Sequence, residues 1–316
     1  MKKVFITGGS GTIGSAFIEK YSDRYEFYSY CRNESMQVAL KRKFPNVHII
    51  LGSIKDENRL CWEVSKVDPD IIIHTAALKH VDIAENQPLL ATETNIVGSL
   101  NVINAANDSR VPVTVAISTD KACQPYNVYG YTKLLMERAF LDADNGRSYI
   151  GECNFSCCRF GNVAGSHGSV IPFWLKLNRE GEALKLTDPK MTRLMFSRGE
   201  AVELVQECIE RTEQGGGFVV SKKMKAVNLE DLARVISDDM KVVGLRPGEK
   251  IHESLVSVGE IEYSYVEGDY VFLTKEKNSD VGSRLSEELS TLTAEKMSQE
   301  EMKALVEETI QQMELA

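Results

Sequence analysis

Short apolar runs separated by helix-length amphipathic stretches dominate the first half of the chain. Runs rich in Val, Ile and aromatic residues near 3–7, 26–31, 47–51, 70–74, 112–118 and 153–160 predict buried strands. Stretches near 11–22, 57–67, 86–107 and 127–143 fit helices. Alternation of this length predicts an α/β fold, a doubly wound parallel sheet with right-handed crossovers. After "GNVAGS" (161–166) the alternation is lost, and loops such as "LTDPKMTR" and "LRPGEKIHE" become prominent. The expected division is a nucleotide-binding domain over 1–165 and a smaller lobe over 166–316 capping the sheet's carboxyl edge. Segments near 192–221 are expected to pack back on the first domain. The tail "SQEEMKALVEETIQQMELA" predicts an amphipathic helix, with Ser298 and Glu301 as a capping box and Met302, Leu305, Val306 and Met313 on one face.

Composition narrows the class. At 316 residues, with 43% hydrophobic and 26% charged content, the chain is long enough for a sizeable core. A net charge of −9 argues against a nucleic-acid partner, which would need a basic stripe. It leaves room for a phosphorylated small ligand, for which backbone amides and one or two arginines suffice. No apolar run approaches the ~20 residues that span a bilayer, and no signal-peptide pattern follows "MKK", so a cytoplasmic protein without a membrane role is expected. From residue 286 onward eight Glu stand against two Lys, which reads as a solvated face. Seven cysteines fit a reducing compartment. Cys153, Cys157 and Cys158 in "CNFSCCRF" lack paired CxxC spacing and read as a buried strand using Cys as a small hydrophobe. No metal site is expected, and His74, His80 and His167 read as structural or solvent-facing.

The candidate chemistry begins at "VFITGGSGTIGSAF", where Gly8, Gly11 and Gly14 form GxxGxxG between the first strand and first helix. Glycine there permits a tight turn and close backbone approach, with the helix N-terminus facing a pyrophosphate, so a Rossmann-type dinucleotide site is expected. At the end of the second strand, "YSYCRNE" places Arg32 where a carboxylate would bind the ribose 2′-hydroxyl of NAD, with Lys41 and Arg42 nearby. A guanidinium there suits a 2′-phosphate, so the expected cofactor is NADP.

"STDKACQPYNVYGYTK" (118–133) follows the apolar run "VPVTVAI" and gathers Thr119, Asp120, Lys121, Tyr129 and Lys133. Tyr and Lys at i and i+4 share a helix face. With the glycine loop, this pattern resembles an extended short-chain dehydrogenase/reductase. The Asp120–Lys121 pair after Thr119 is similar to that of UDP-N-acetylglucosamine 4,6-dehydratases. "AALKHVDIAENQP", "TNIVGSLNVI", "RFGNVAGSHGSVIPF", "LTDPKMTR" and "GLRPGEKIHE" resemble the same subfamily, over residues 1 to about 255. Tyr129, and the lack of membrane helices, resemble the inverting branch that begins pseudaminic-type sugar synthesis.

The resemblance implies internal redox: oxidation at sugar C4, loss of water across C5–C6, and hydride return to C6. Tyr129 would take the C4 hydroxyl proton, and Lys133 would lower the Tyr129 pKa and hold the nicotinamide ribose. Lys121 would remove the C5 proton, which needs a lowered pKa that a partly dry pocket could supply, while a protonated Asp120 would help the C6 hydroxyl leave. Thr12, Ile13, Ala76 and Ala77 would join the cofactor contacts. Asn162, Arg193, Arg246 and Glu249 would meet the UDP part of a UDP-N-acetylglucosamine-like substrate, with Lys79 near the sugar. A homo-oligomer is implied, hexamers being frequent among relatives. Two positions depart from the pattern: Ser53 replaces an acid near the adenine, and Tyr131 replaces a small residue and is expected to tighten local packing. Two rival readings remain, a UDP-hexose 4-epimerase and a non-catalytic NADP-binding regulator on the same fold.

Overall fold

The computed structural model describes residues 1–145, 153–166, 168–277 and 283–314; His167 lies outside them. The chain opens with β1 (Lys2–Thr7), α1 (Thr12–Tyr21), β2 (Tyr25–Cys31), α2 (Glu34–Lys43), β3 (His48–Leu51), α3 (Glu57–Val67) and β4 (Ile71–His74). Helices α4 (Val81–Asn86), α5 (Pro88–Thr92) and α6 (Gly98–Asp108) follow, then β5 (Val113–Thr119), α7 (Val128–Asn145) and β6 (Asn154–Phe160). The remainder holds β7 (Asn162–Val163), α8 (Val170–Arg179), β8 (Leu184–Leu186), β9 (Thr192–Phe196), α9 (Arg198–Gln214), β10 (Phe218–Lys222) and β11 (Lys225–Asn228). Last come α10 (Leu229–Arg234), β12 (Met240–Val242), β13 (Ser254–Val256), β14 (Ser264–Glu267), β15 (Tyr270–Thr274), β16 (Leu289–Ser290) and α11 (Gln299–Glu314).

The main sheet runs β3-β2-β1-β4-β5-β6-β10-β15-β14, parallel through β10 and antiparallel at the β15–β14 edge. This is the expected doubly wound α/β architecture, and strand order reverses between β1 and β4. Val4, Phe5, Ile6 and Ile71–Ile73 are almost wholly buried because helices cover both faces. Strands β10, β14 and β15, which follow residue 166, complete the main sheet, and α9 packs on β5 and β6. A second core gathers Trp174, Leu184, Met195, Val227 and Leu232 with Met302, Leu305 and Val306 of α11. Ser298 and Glu301 cap α11 reciprocally, Glu301 N donating to Ser298 Oγ at 3.2 Å and Ser298 N to Glu301 Oε2 at 2.8 Å.

Two elements differ from their expected form. The stretch 86–107 is three pieces: Pro88 starts α5 where its missing N–H costs nothing, and a wider five-residue turn over Glu93–Val97 joins it to α6. Helix α2 buries only Gln37 and Leu40 and carries too little apolar periodicity to be seen; the Asn33 side chain caps it by accepting from Met36 N at 3.0 Å. Cys157 and Cys158 are fully buried in β6, as a strand using Cys as a small hydrophobe requires. Among the described residues, no helix is long and apolar enough to cross a membrane.

Candidate active site

A cavity of about 610 Å³ opens at the carboxyl ends of β1, β4 and β5, where the strand order reverses. Gly8, Gly11, Thr12, Ile13, Arg32, Ala76, Ala77, Lys79, Thr119, Lys121, Tyr129, Lys133 and Asn162 all line it, although they come from six separate stretches. Gly8 has φ +72, and a Cβ there would lie 2.7 Å from Thr75 Oγ1 and 2.9 Å from Ala76 N. Only glycine allows both that turn and that approach. No side chain caps the N-terminus of α1, which leaves its first amides for an anion. The residues present therefore fit a dinucleotide. Gly14 does not face the cavity: its backbone packs on Gly9, a Cβ falling 2.6 Å from Gly9 Cα, which seats α1 against the loop.

Arg32 is exposed at the cavity rim and makes no hydrogen bond or ion pair among the described residues. Lys41 does not join it, since its ammonium donates to Pro45 O at 2.7 Å and Val47 O at 2.8 Å; Arg42 is also away from the cavity. Ser53 lines the cavity where an acid was the usual residue. Tyr131 is 54% exposed and so does not tighten the packing as expected.

The chemistry-bearing groups meet at the end of β5. Thr119 Oγ1 donates to Asp120 Oδ1 at 2.8 Å, and Lys121 Nζ donates to the same oxygen at 3.0 Å. Asp120 is fully buried, and its Oδ2 has no partner among the described residues. Helix α7 delivers Tyr129 and Lys133 from above. Asn127 caps it, accepting from Gly130 N at 2.7 Å, and donates from its side-chain nitrogen to Gly248 O at 2.8 Å. Gly130 is needed for closeness: a Cβ there would sit 2.2 Å from Lys121 O. The glycine in "VYGYTK" was a signal for this that spacing alone did not reveal.

The electrostatics correct two expectations. Burial pulls the Lys121 ammonium down, but the carboxylates of Asp120 and Glu253 outweigh it, so its pKa is raised and not lowered. Burial pushes Tyr129 up to about 12; the charge of Lys121 and a hydrogen bond with Thr119 relieve this in part, while Asp120 adds to it. Lys133 is not the group that lowers it. Its Nζ sits 2.9 Å from Met136 Sδ, and burial pushes its own pKa down to about 8. Lys79, on the cavity wall, is also pushed down by burial.

The expected substrate residues divide. Asn162 lines the cavity with its buried Oδ1 unpartnered among the described residues, as a ligand contact requires. Arg193 does not line the cavity; it is buried close to Lys121, and its Nη1 donates to Thr192 O at 2.7 Å and Ile251 O at 3.2 Å. Arg246 and Glu249 lie off the cavity and pair with each other at 3.2 Å. Glu253, never singled out from sequence, comes within 3.7 Å of Lys121. His74 is structural: Thr7 Oγ1 at 2.7 Å and Ser99 Oγ at 3.0 Å hold its two ring nitrogens, and burial pushes its pKa down to about 3. His80 lies on the cavity wall.

Residues 4–275 match a family described as polysaccharide biosynthesis protein. The chain belongs to this family. It is of the extended short-chain dehydrogenase/reductase type. An inverting UDP-N-acetylglucosamine 4,6-dehydratase of Campylobacter jejuni is 37% identical over 272 residues, 84% of this chain and 80% of the relative. A UDP-glucose 4-epimerase of Rickettsia massiliae is 34% identical over 274 residues, 82% of this chain and 79% of the relative. The solved structure of Pen from Bacillus thuringiensis is similar over 98% of each chain, with a TM-score of 0.90 and 29% identity.

Proposed function

We propose that this chain is an NADP-dependent, C5-inverting UDP-N-acetylglucosamine 4,6-dehydratase, forming UDP-2-acetamido-2,6-dideoxy-β-L-arabino-hexos-4-ulose. One observation carries the reading: beside Tyr129 on the wall of the dinucleotide cavity stands Lys121, its Nζ 3.0 Å from Oδ1 of Asp120, which is buried directly behind it. Oxidation at C4 needs one proton acceptor, whereas elimination of water also needs a base at C5 and an acid at O6. The inverting Campylobacter relative supports the same reading. Gly8, Gly11, Thr12, Ile13 and Lys133 would hold the dinucleotide, which would supply hydride transfer between C4 and C6. The chain's own part is proton handling. Tyr129, bonded to Thr119, takes the C4 hydroxyl proton as its phenolate, the form that the Lys121 charge and the Thr119 bond favour against burial. The resulting 4-ketone acidifies C5–H, which Lys121 removes while Asp120 protonates the departing C6 oxygen. Passage of a proton from Lys121 to Asp120 across their 3.0 Å contact sets up the reactive form.

Arg32 at the rim supports NADP over NAD, because a 2′-phosphate would meet a guanidinium unpaired among the described residues. Asn162 and Lys79 line the cavity wall, which supports the reading that they meet the UDP-sugar. A homo-oligomer is supported by exposed apolar side chains on neighbouring α6 and α7, where Leu100, Tyr131 and Leu135 are 42–54% exposed.

NMR of the product from UDP-N-acetylglucosamine in heavy water tests the reading. Expected are a C6 methyl, solvent deuterium at C5 and L-configuration. An early product with D-configuration at C5 sinks the inverting assignment alone. The Rickettsia relative favours a second reading, 4-epimerisation; a product keeping its 6-hydroxyl, with no deuterium at C5, establishes it.

A further inference from the structure

Glu253 closes the segment that begins at Gly244 and immediately precedes β13. It is 3% exposed, and Thr291 fixes its backbone: the Glu253 carbonyl accepts from Thr291 N at 2.8 Å. The following strand is locked to the catalytic helix. Arg159 Nη1 donates to Leu255 O at 2.8 Å, and the same guanidinium forks onto Glu137 of α7 at 2.9 and 2.6 Å. The carboxylate of Glu253 is thereby brought to Lys121 from a distant part of the sequence. Its Oε1 stands 3.7 Å from Lys121 Nζ, and its buried Oε2 has no hydrogen-bond partner among the described residues. A buried carboxylate placed only for stability would have its oxygens paired. At 3.7 Å the contact is too long for a hydrogen bond and acts on Lys121 through charge.

We infer that Glu253 is a positioning residue that fixes the proton affinity of Lys121, and with it the pH range in which Lys121 removes the C5 proton. The catalytic half of this inference rests on the dehydratase reading; the coupling between the two side chains does not. The charged and titratable groups facing Lys121 are Asp120 on its own turn, Glu253 before β13, Arg193 of β9 and Tyr129 of α7. Lys250 also faces Glu253. Burial raises the Glu253 pKa and Asp120 adds to the rise, while Lys121, Arg193 and Lys250 oppose it. With Glu253 made neutral, Asp120 alone would oppose burial and Arg193, so the Lys121 ammonium would lose its proton at lower pH.

The test reads the amine directly, in protein without substrate. Pulses of acetic anhydride across a pH series, followed by mass spectrometry of the Lys121 peptide, give the pH at which that amine becomes reactive. In the native chain the midpoint should lie above the ordinary lysine value of about 10.4. In Glu253→Gln it should fall by about 1 pH unit or more, and Glu253→Asp should recover part of the shift. A native midpoint at or below the ordinary value, or one equal in native and Glu253→Gln protein, overturns the inference. A second arm follows C5 deuterium incorporation from UDP-N-acetylglucosamine, whose alkaline-side fall should move down with the amine midpoint, because loss of the Lys121 proton to solvent leaves none for Asp120. If the midpoint moves and that fall does not, Lys121 is not the C5 base and the catalytic half fails. If the midpoint moves and no deuterium enters C5 at any pH, the dehydratase reading fails while the Glu253–Lys121 coupling stands.

Discussion

Arg32 and Lys133 show how single residues set the site's preferences. Arg32 directly follows β2 at the cavity rim as an unpaired guanidinium among the described residues. Arg32→Asp is expected to weaken NADP binding at least about tenfold more than NAD binding, because an attraction is replaced by repulsion. Titration calorimetry with both dinucleotides checks this, and unchanged NADP affinity would remove the assignment. Burial holds Lys133 down to about 8, well below the ~10.4 of an exposed lysine. Below pH 8 the folded chain carries a charge that burial penalises, so the cost there is complete. It fades as pH rises from 8 toward about 10.4 and vanishes above. Lys133→Met should therefore be more stable than the native chain at neutral pH, by up to roughly 3 kcal/mol, with the gap closing by pH 10–11. Urea unfolding of both proteins across that range measures it. Tyr129→Phe should abolish C5 deuterium incorporation along with product, since no ketone forms to acidify C5–H.

Among elements, α7 is the one on which the site depends. Asn127 starts it, Gly130 lets it approach Lys121, and Glu137 ties it through Arg159 to β13 and to Glu260. Arg159 is 1% exposed, so its removal strands two carboxylates, one of them fully buried. Arg159→Met is expected to cost about 3–5 kcal/mol in urea unfolding, and adding Glu137→Met should restore part of the loss. A cost below about 1 kcal/mol would show that the network is not what joins α7 to β13. The helix itself was legible because Tyr129 and Lys133 sit one turn apart beside an apolar strand. Helix α2 was not legible, because a solvated helix with polar residues on nearly every face gives no apolar period to read.

At the scale of the whole molecule, Leu100 of α6 and Tyr131 and Leu135 of α7 are exposed on helices that touch each other. If these side chains join copies of the chain, Leu100→Glu with Leu135→Glu should convert the species seen in sedimentation velocity to monomer while leaving the circular dichroism unchanged. A native chain that sediments as a monomer at micromolar concentration would end that proposal.

The sequence by itself determined the doubly wound sheet, the glycine loop and the Thr119–Lys133 stretch. Each is written in local order: a strand's apolar run, a turn's glycines, two side chains one helical turn apart. The burial of Cys157 and Cys158 was legible for the same reason. What only the tertiary structure decided is the company these residues keep. Glu253 reaches Lys121 because β13 is tied through Arg159 to α7, a contact with no sequence spacing to announce it. Arg246 and Glu249, neighbours in a suggestive motif, turn to each other away from the cavity. The charge state of Lys121 was misjudged for the same reason. Burial was foreseeable from its place after a buried strand, but the sign of a pKa shift depends on which charges stand within a few ångströms, and the fold alone sets those distances.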